Sequence, residues 1–140
     1  MATGCQKSIK MTYNNIYDYF KDDEKLLDYY DPLSEAANNE EAAMEIYHKL
    51  IEHSRERECN FVRNELGYIF YSGKLLISFC VKPEFRTKEN LKKFGDLLKF
   101  TIGKHFECFL YNKNARGINF LKKIGLKEKK ANDLVTLLYI

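Results

Sequence analysis

The sequence predicts an α/β protein in which a central mixed β-sheet is flanked by helices. Three observations predict it. Two long apolar runs, LGYIFYSGKLLISFCV at 66–81 and LVTLLYI at 134–140, are rich in the β-branched and aromatic residues that favour strands. Between 75 and 111 a strand pattern, a helix pattern and a second strand pattern follow one another, at the length of a right-handed parallel crossover. Residues 12–57 instead repeat their apolar positions every three to four residues, the period of a helix packed on a core.

In chain order, residues 1–11 read as a loose leader. From about Thr12, the residues Ile16, Tyr19, Phe20, Leu26, Leu27 and Tyr30 fall near helical spacing, and Asp31-Pro32 ends that helix. Asn38 or Asn39 caps a second helix, with Glu40 and Glu41 in its first turn. Its buried side is Ala43, Ile46, Tyr47, Leu50 and Ile51, and it runs to about Arg57. CNFVRNE reads as a strand, and the 66–81 run as two strands joined by a tight turn at Ser72-Gly73. Leu75 to Val81 is almost continuously apolar, as befits a strand covered on both faces. A helix over 88–103 puts Leu91, Phe94, Leu98 and Ile102 on one side, and HFECFLY is the next strand. Ala115 to Ile124 is a short helix, capped by Asn112 or Asn114 and stopped by Gly125, before the last strand, LVTLLYI. The early strands read as an antiparallel meander. The expected division is a single domain over 1–140, with a helical part at 1–58 and a sheet with two crossover helices at 59–140.

Composition is that of a globular chain, 45% hydrophobic and 31% charged, with only two Pro and seven Gly in 140 residues. The net charge of +3 hides an asymmetry: residues 1–60 carry −6 and residues 61–140 carry +9. A basic half suits a phosphorylated ligand, a nucleic acid or an acidic partner; it equally suits two halves that attract each other. Eighteen of the 23 basic residues are Lys, which weighs against bidentate, sequence-specific reading of DNA bases. Cys5, Cys59, Cys80 and Cys108 form no CxxC pair, so no zinc site is expected; reduced thiols in a cytoplasmic setting are, with Cys80 and Cys108 as small core residues. No secretory signal or membrane span is read, so no membrane partner is expected.

Two stretches carry chemistry. VKPEFRTKENLKKFGDLL at 81–98 joins the end of a strand to an amphipathic helix through a turn. NKNARGINFLKKIGLKE at 112–128 opens a helix with Asn and closes it after Gly125. The first is similar to the strand–turn–helix of the GNAT acyltransferase superfamily around the acyl-CoA pyrophosphate. The second resembles that family's later helix, which an Asn opens and a Gly-Phe pair closes. The resemblance covers roughly the last half of the chain.

The resemblance implies a GNAT-like acyl-CoA N-acyltransferase fold and direct transfer of an acetyl group from acetyl-CoA to an amine acceptor. It implies that acetyl-CoA lies where the strand at 75–81 splays from the strand at 106–111. Arg86, Thr87, Lys88 and Asn90 would supply the turn, with amides aimed at the pyrophosphate from a helix N-terminus. The backbone of Cys80 and Val81 would contact the pantetheine arm, and Asn114 the far side of the cofactor. The chain departs from the family pattern at three positions. Aligned from Arg86, the family's first turn glycine falls on Glu89, its second small residue on Leu91, and its common proton-donating tyrosine on Leu121. These departures raise the alternative of a catalytically inactive GNAT-fold structural or interaction protein with a protein partner. The resemblance also allows a phage-encoded, virion-associated protein. A homo-oligomer is compatible with either reading, and no catalytic residue is assigned.

His48 and His53 lie five apart, on different sides of a helix, and make no metal pair. His105, Glu107 and Tyr111 share one face of a candidate strand, which would give Glu107 or Tyr111 an acid–base role if that face lines the cleft; ordinary half-buried strand residues are the simpler reading. The lysines of LKKIGLKEKK lack interleaved aromatics, so they support non-specific electrostatic contact with nucleic acid at most.

Overall fold

The structure is a computed structural model, and it describes residues 7–12, 49–50 and 52–140. Seven strands form one sheet: β1 (Lys7–Met11), β2 (Cys59–Arg63), β3 (Gly67–Ser72), β4 (Leu75–Val81), β5 (Glu107–Tyr111), β6 (Lys127–Lys130) and β7 (Val135–Tyr139). Their order across the sheet is β1-β2-β3-β4-β5-β7-β6. Strands β1 to β4 are an antiparallel meander. The β4–β5 contact is parallel, and β5–β7 and β6–β7 are antiparallel. The mixed sheet with flanking helices is the architecture that the sequence predicts.

Two helices connect the C-terminal strands: α1 (Lys88–Ile102) between β4 and β5, and α2 (Ala115–Lys123) between β5 and β6. Helix α1 starts where Thr87 Oγ1 accepts the Asn90 amide at 3.2 Å, and it buries Phe94, Gly95, Leu98 and Ile102. Helix α2 starts where Asn114 Oδ1 accepts the Gly117 amide at 3.0 Å, and it buries Ile118 and Leu121. Gly125, at a φ of 110°, takes the backbone out of that helix in a region side chains resist. Of the two candidate caps, Asn114 does the capping. Asn112 instead ties the end of β5 to the β6–β7 turn, through the Asp133 carbonyl at 2.9 Å, and to β7, whose Thr136 hydroxyl donates to its side-chain oxygen.

Between the sheet and these helices lies a core of Val62, Ile69, Leu76, Val81, Cys108, Leu110 and Leu138 packed on Phe94, Leu98 and Leu121. On the sheet's opposite face the Phe61 ring stacks on Tyr68 at 5.7 Å and tilts against Phe70 at 6.3 Å.

Three expectations need correction. Residues 7–11 are not part of a loose leader: they pair along their whole length with β2, from Lys7 against Arg63 to Met11 against Cys59. The sequence pattern does not predict β6, because all four residues of KEKK are exposed and the strand exists only through pairing with β7. His105 lies in a bend ahead of β5, so it does not share a strand face with Glu107 and Tyr111. The helix expected from Thr12 and the start of the next, with its Asn38 or Asn39 cap and the residues Ala43, Ile46, Tyr47, His48 and Ile51, lie outside the described residues, as does Cys5. The end of that second helix is described, with 52–56 helical and Leu50 buried.

Candidate functional site

Strands β4 and β5 touch at two pairs only, Leu75 with Glu107 and Leu76 with Cys108. The cause is visible on the other side of β4. Phe70 of β3 partners Ser78, but its neighbour Tyr71 partners Leu76, so Ile77 is an extra residue. An extra residue bends its strand and increases the local twist, and this one sits where β4 leaves β5. From Ile77 to Val81 the strand runs on without its parallel neighbour.

The register fixes what that open edge presents. The Lys82 amide donates to the Leu66 carbonyl at 2.8 Å, on the β3 side. Backbone groups alternate along a strand, so those of Val81 and Phe79 point towards the gap, and those of Cys80 towards β3. Val81 lies on the open edge as a sequence-predicted residue; Cys80 reaches the site by its side chain. Sequence reasoning misses Phe79. Its signal is its two-residue spacing from Val81, which places both on one edge.

Beyond Val81, Pro83–Phe85 form one 3-10 turn. The Phe85, Arg86 and Thr87 amides donate within this turn, to the carbonyls of Lys82, Pro83 and Phe85. The Asn90 and Leu91 amides are taken by the Thr87 hydroxyl and carbonyl. Among the described residues, the Lys88 and Glu89 amides are left at the helix N-terminus. The Glu89 carboxylate lies 3.7 Å from Lys93 Nζ, along the helix. Leu91 packs against the core, as does Phe85. Arg86 folds back: its Nε donates to the Val81 carbonyl at 2.8 Å, and its Nη2 lies 3.9 Å from Cys80 Sγ. Burial raises the Cys80 thiol above its ordinary range, and the Arg86 charge opposes that rise.

The far wall is the end of β5 and the start of α2. With Asn114 capping, the Ala115 and Arg116 amides are left at this second helix N-terminus. Lys113 and Arg116 are exposed beside it, as Arg86 and Lys88 are at the first. Tyr111 ends β5 on the open side of the splay, whereas Glu107 begins it at the closed end, so the two are not brought together. Leu121 is 0% exposed, a core residue with no polar atom in its side chain. Beneath the gap three rings meet: Phe79 lies 5.8 Å from Phe120 and 6.3 Å from Phe94, and Phe94 lies 6.0 Å from Phe120. On the opposite face the Tyr68 and Ser78 hydroxyls are hydrogen-bonded at 2.8 Å, both buried. At the closed end a shallow hollow of about 300 Å³ is lined by Lys74, His105, Phe106, Glu107, Tyr139 and Ile140.

No protein-family model and no curated protein matches the sequence. Solved structures do match the fold. An acetyltransferase from Thermus thermophilus is 11% identical, with 100% of this chain and 99% of that chain covered and a TM-score of 0.54. A GNAT-family acetyltransferase from Bacteroides thetaiotaomicron is 16% identical, with 95% and 85% covered and a TM-score of 0.53. RimL, a ribosomal L7/L12 alpha-N-protein acetyltransferase in complex with coenzyme A, is 7% identical, with 99% and 94% covered and a TM-score of 0.50. The chain is similar to all three in fold, and that fold is the one the turn and the α2 stretch resemble in sequence.

Proposed function

We propose that this GNAT-fold chain is an N-acyltransferase that moves an acetyl group from acetyl-CoA to an amine. One observation carries the reading: the break in β4–β5 pairing after Leu76, which exposes a strand edge between two helix N-termini. The residues fit the cofactor. The Phe79 and Val81 backbone groups would pair with the amides of a pantetheine arm, as an added strand pairs with a sheet edge. The Lys88 and Glu89 amides, with Arg86, Thr87 and Lys88 around them, would hold the diphosphate. Asn90 shapes the turn through its bond to Thr87. Asn114 shapes the opposite helix start, where Lys113 and Arg116 add positive charge. The Glu89 carboxylate is exposed and lies 3.7 Å from Lys93 Nζ, an ion pair along the helix that offsets only part of its negative charge beside the diphosphate.

Acetyl-CoA supplies a thioester, whose carbonyl carbon an amine attacks with loss of the thiol. Leu121 has no proton to give the departing thiolate, so the reading assigns binding residues and no proton donor. A second reading, a non-catalytic GNAT-fold binding protein, virion-associated or otherwise, draws on the buried Leu121 and on the Phe79–Phe120 contact beneath the gap.

Calorimetric titration with acetyl-CoA and CoA, followed by an acetyl-transfer assay on a panel of amines, separates them. Micromolar binding with turnover is the expected result. Absence of binding at millimolar ligand would overturn the first reading, and binding without turnover on any amine would favour the second.

A further inference from the structure

We propose that the outer edge of β6 docks an extended acidic segment of a partner protein, one with carboxylates at alternate positions, as an added strand of the sheet. The surface lies outside the cleft and stands independently of the acetyl-CoA reading. Strand β6 ends the sheet, and among the described residues it pairs only with β7. The Ala131 amide donates to the Val135 carbonyl at 3.0 Å, which sets the alternation along the strand. Backbone groups of Lys127 and Lys129 point to β7, and those of Glu128 and Lys130 point outward. Two N–H and two C=O groups therefore line an edge on which every residue is exposed.

Side chains decide what can pair there. Glu128 and Lys130 share one face and are engaged, Glu128 with Lys122 of α2 at 2.8 Å and Lys130 with Asp133 at 3.0 Å. Lys127 and Lys129 share the other face, beside Tyr139 and Leu137 of β7, and among the described residues no ion pair takes either ammonium group. Lysine on an edge strand normally keeps copies of a chain from pairing. A second β6 would bring lysines of the two strands face to face, which makes another copy the poorer occupant. The same two charges, two residues apart on one face, complement a strand with carboxylates at that spacing. Main-chain bonds then supply the pairing, and the two lysines select the sequence.

Nitrogen-15 NMR titration of the full chain with a capped pentapeptide, glutamate at its second and fourth positions and valine or threonine between, tests this. Saturable shifts in β6 and β7 should appear, with a dissociation constant of about a millimolar or below. Lys127→Glu combined with Lys129→Glu should weaken binding at least about tenfold and admit the same peptide with lysine for glutamate. N-methylation of the central valine, which leaves every charge in place, should weaken binding to the wild type at least about tenfold. Glu128→Pro removes an outward amide that β7 does not use, and should act as the N-methyl group does. No saturable shift at millimolar peptide would overturn the proposal. Equal binding of the N-methylated peptide would also overturn it, because charge alone would then hold the ligand. A wild-type dimer that Glu128→Pro dissociates in sedimentation would place a second copy on this edge and overturn it as well.

Discussion

Gly95 of α1 lies so close to Ile124, at the end of α2, that a methyl group on it would stand 2.5 Å from the Ile124 Cγ2. The two crossover helices therefore meet through a glycine. Glycine in a helix is normally a weakness of up to about 1 kcal/mol relative to alanine. Here the contact reverses the expectation. Gly95→Ala should destabilise by about 1–2 kcal/mol, because overpacking a β-branched side chain outweighs the propensity gain. In the Ile124→Ala background the same change should be neutral or stabilising. Urea unfolding of the four proteins of this cycle measures it, and equal effects of Gly95→Ala in both backgrounds would contradict the contact.

Thr87 and Asn114 cap the helices that flank the cleft, each by accepting an amide three residues on. Thr87→Ala and Asn114→Ala should each cost about 1 kcal/mol in urea unfolding. Thr87→Ser should keep most of the wild-type stability, since the hydroxyl is what accepts. An unaffected midpoint in Thr87→Ala would mean that the turn is held by its backbone alone.

Burial pushes the Cys108 thiol far up. A folded-state pKa above the unfolded one favours the folded chain fully below the unfolded value, and that contribution is lost as pH rises beyond it. The unfolded thiol ionises around a pKa of about 8.5, so stability should fall from there upward by up to about 1.4 kcal/mol per pH unit for this one group. Urea midpoints at pH 7, 9 and 10 should fall more steeply for the wild type than for Cys108→Ala. Parallel declines would show that other groups carry the alkaline loss.

How much of this is legible in the sequence depends on whether a residue's role is local. The strands β3 and β4 and both crossover helices follow from periodicity and capping, which neighbouring residues impose; the cap of α2 is narrowed to Asn112 or Asn114, and the structure selects Asn114. Strands β1 and β6 do not. KSIKM and KEKK carry too weak an apolar pattern to declare themselves, and they are strands because a partner with matching register lies beside them. The site divides in the same way. Arg86, Thr87 and Asn114 belong to turn and cap chemistry and stand out. Ile77 does not, because an extra residue within an apolar run leaves no mark in residue type; only the partners of Phe70 and Tyr71 reveal it. Leu91 reads as an obstruction in a phosphate turn, yet it packs against the core and leaves the turn's amides to its neighbours.

The two pairs that join β4 to β5 also divide the sheet into unequal halves, a four-stranded meander and a three-stranded C-terminal unit. Such a seam is where the strand pairing is thinnest, although one apolar core runs beneath both halves, so amides in β5 and β7 should exchange hydrogen with solvent at rates different from those in β2 and β3. A molecule laid along the exposed edge of β4 and reaching the start of α2 would stitch the halves together. Its binding would register far from the cleft, as slower exchange in strands it never touches.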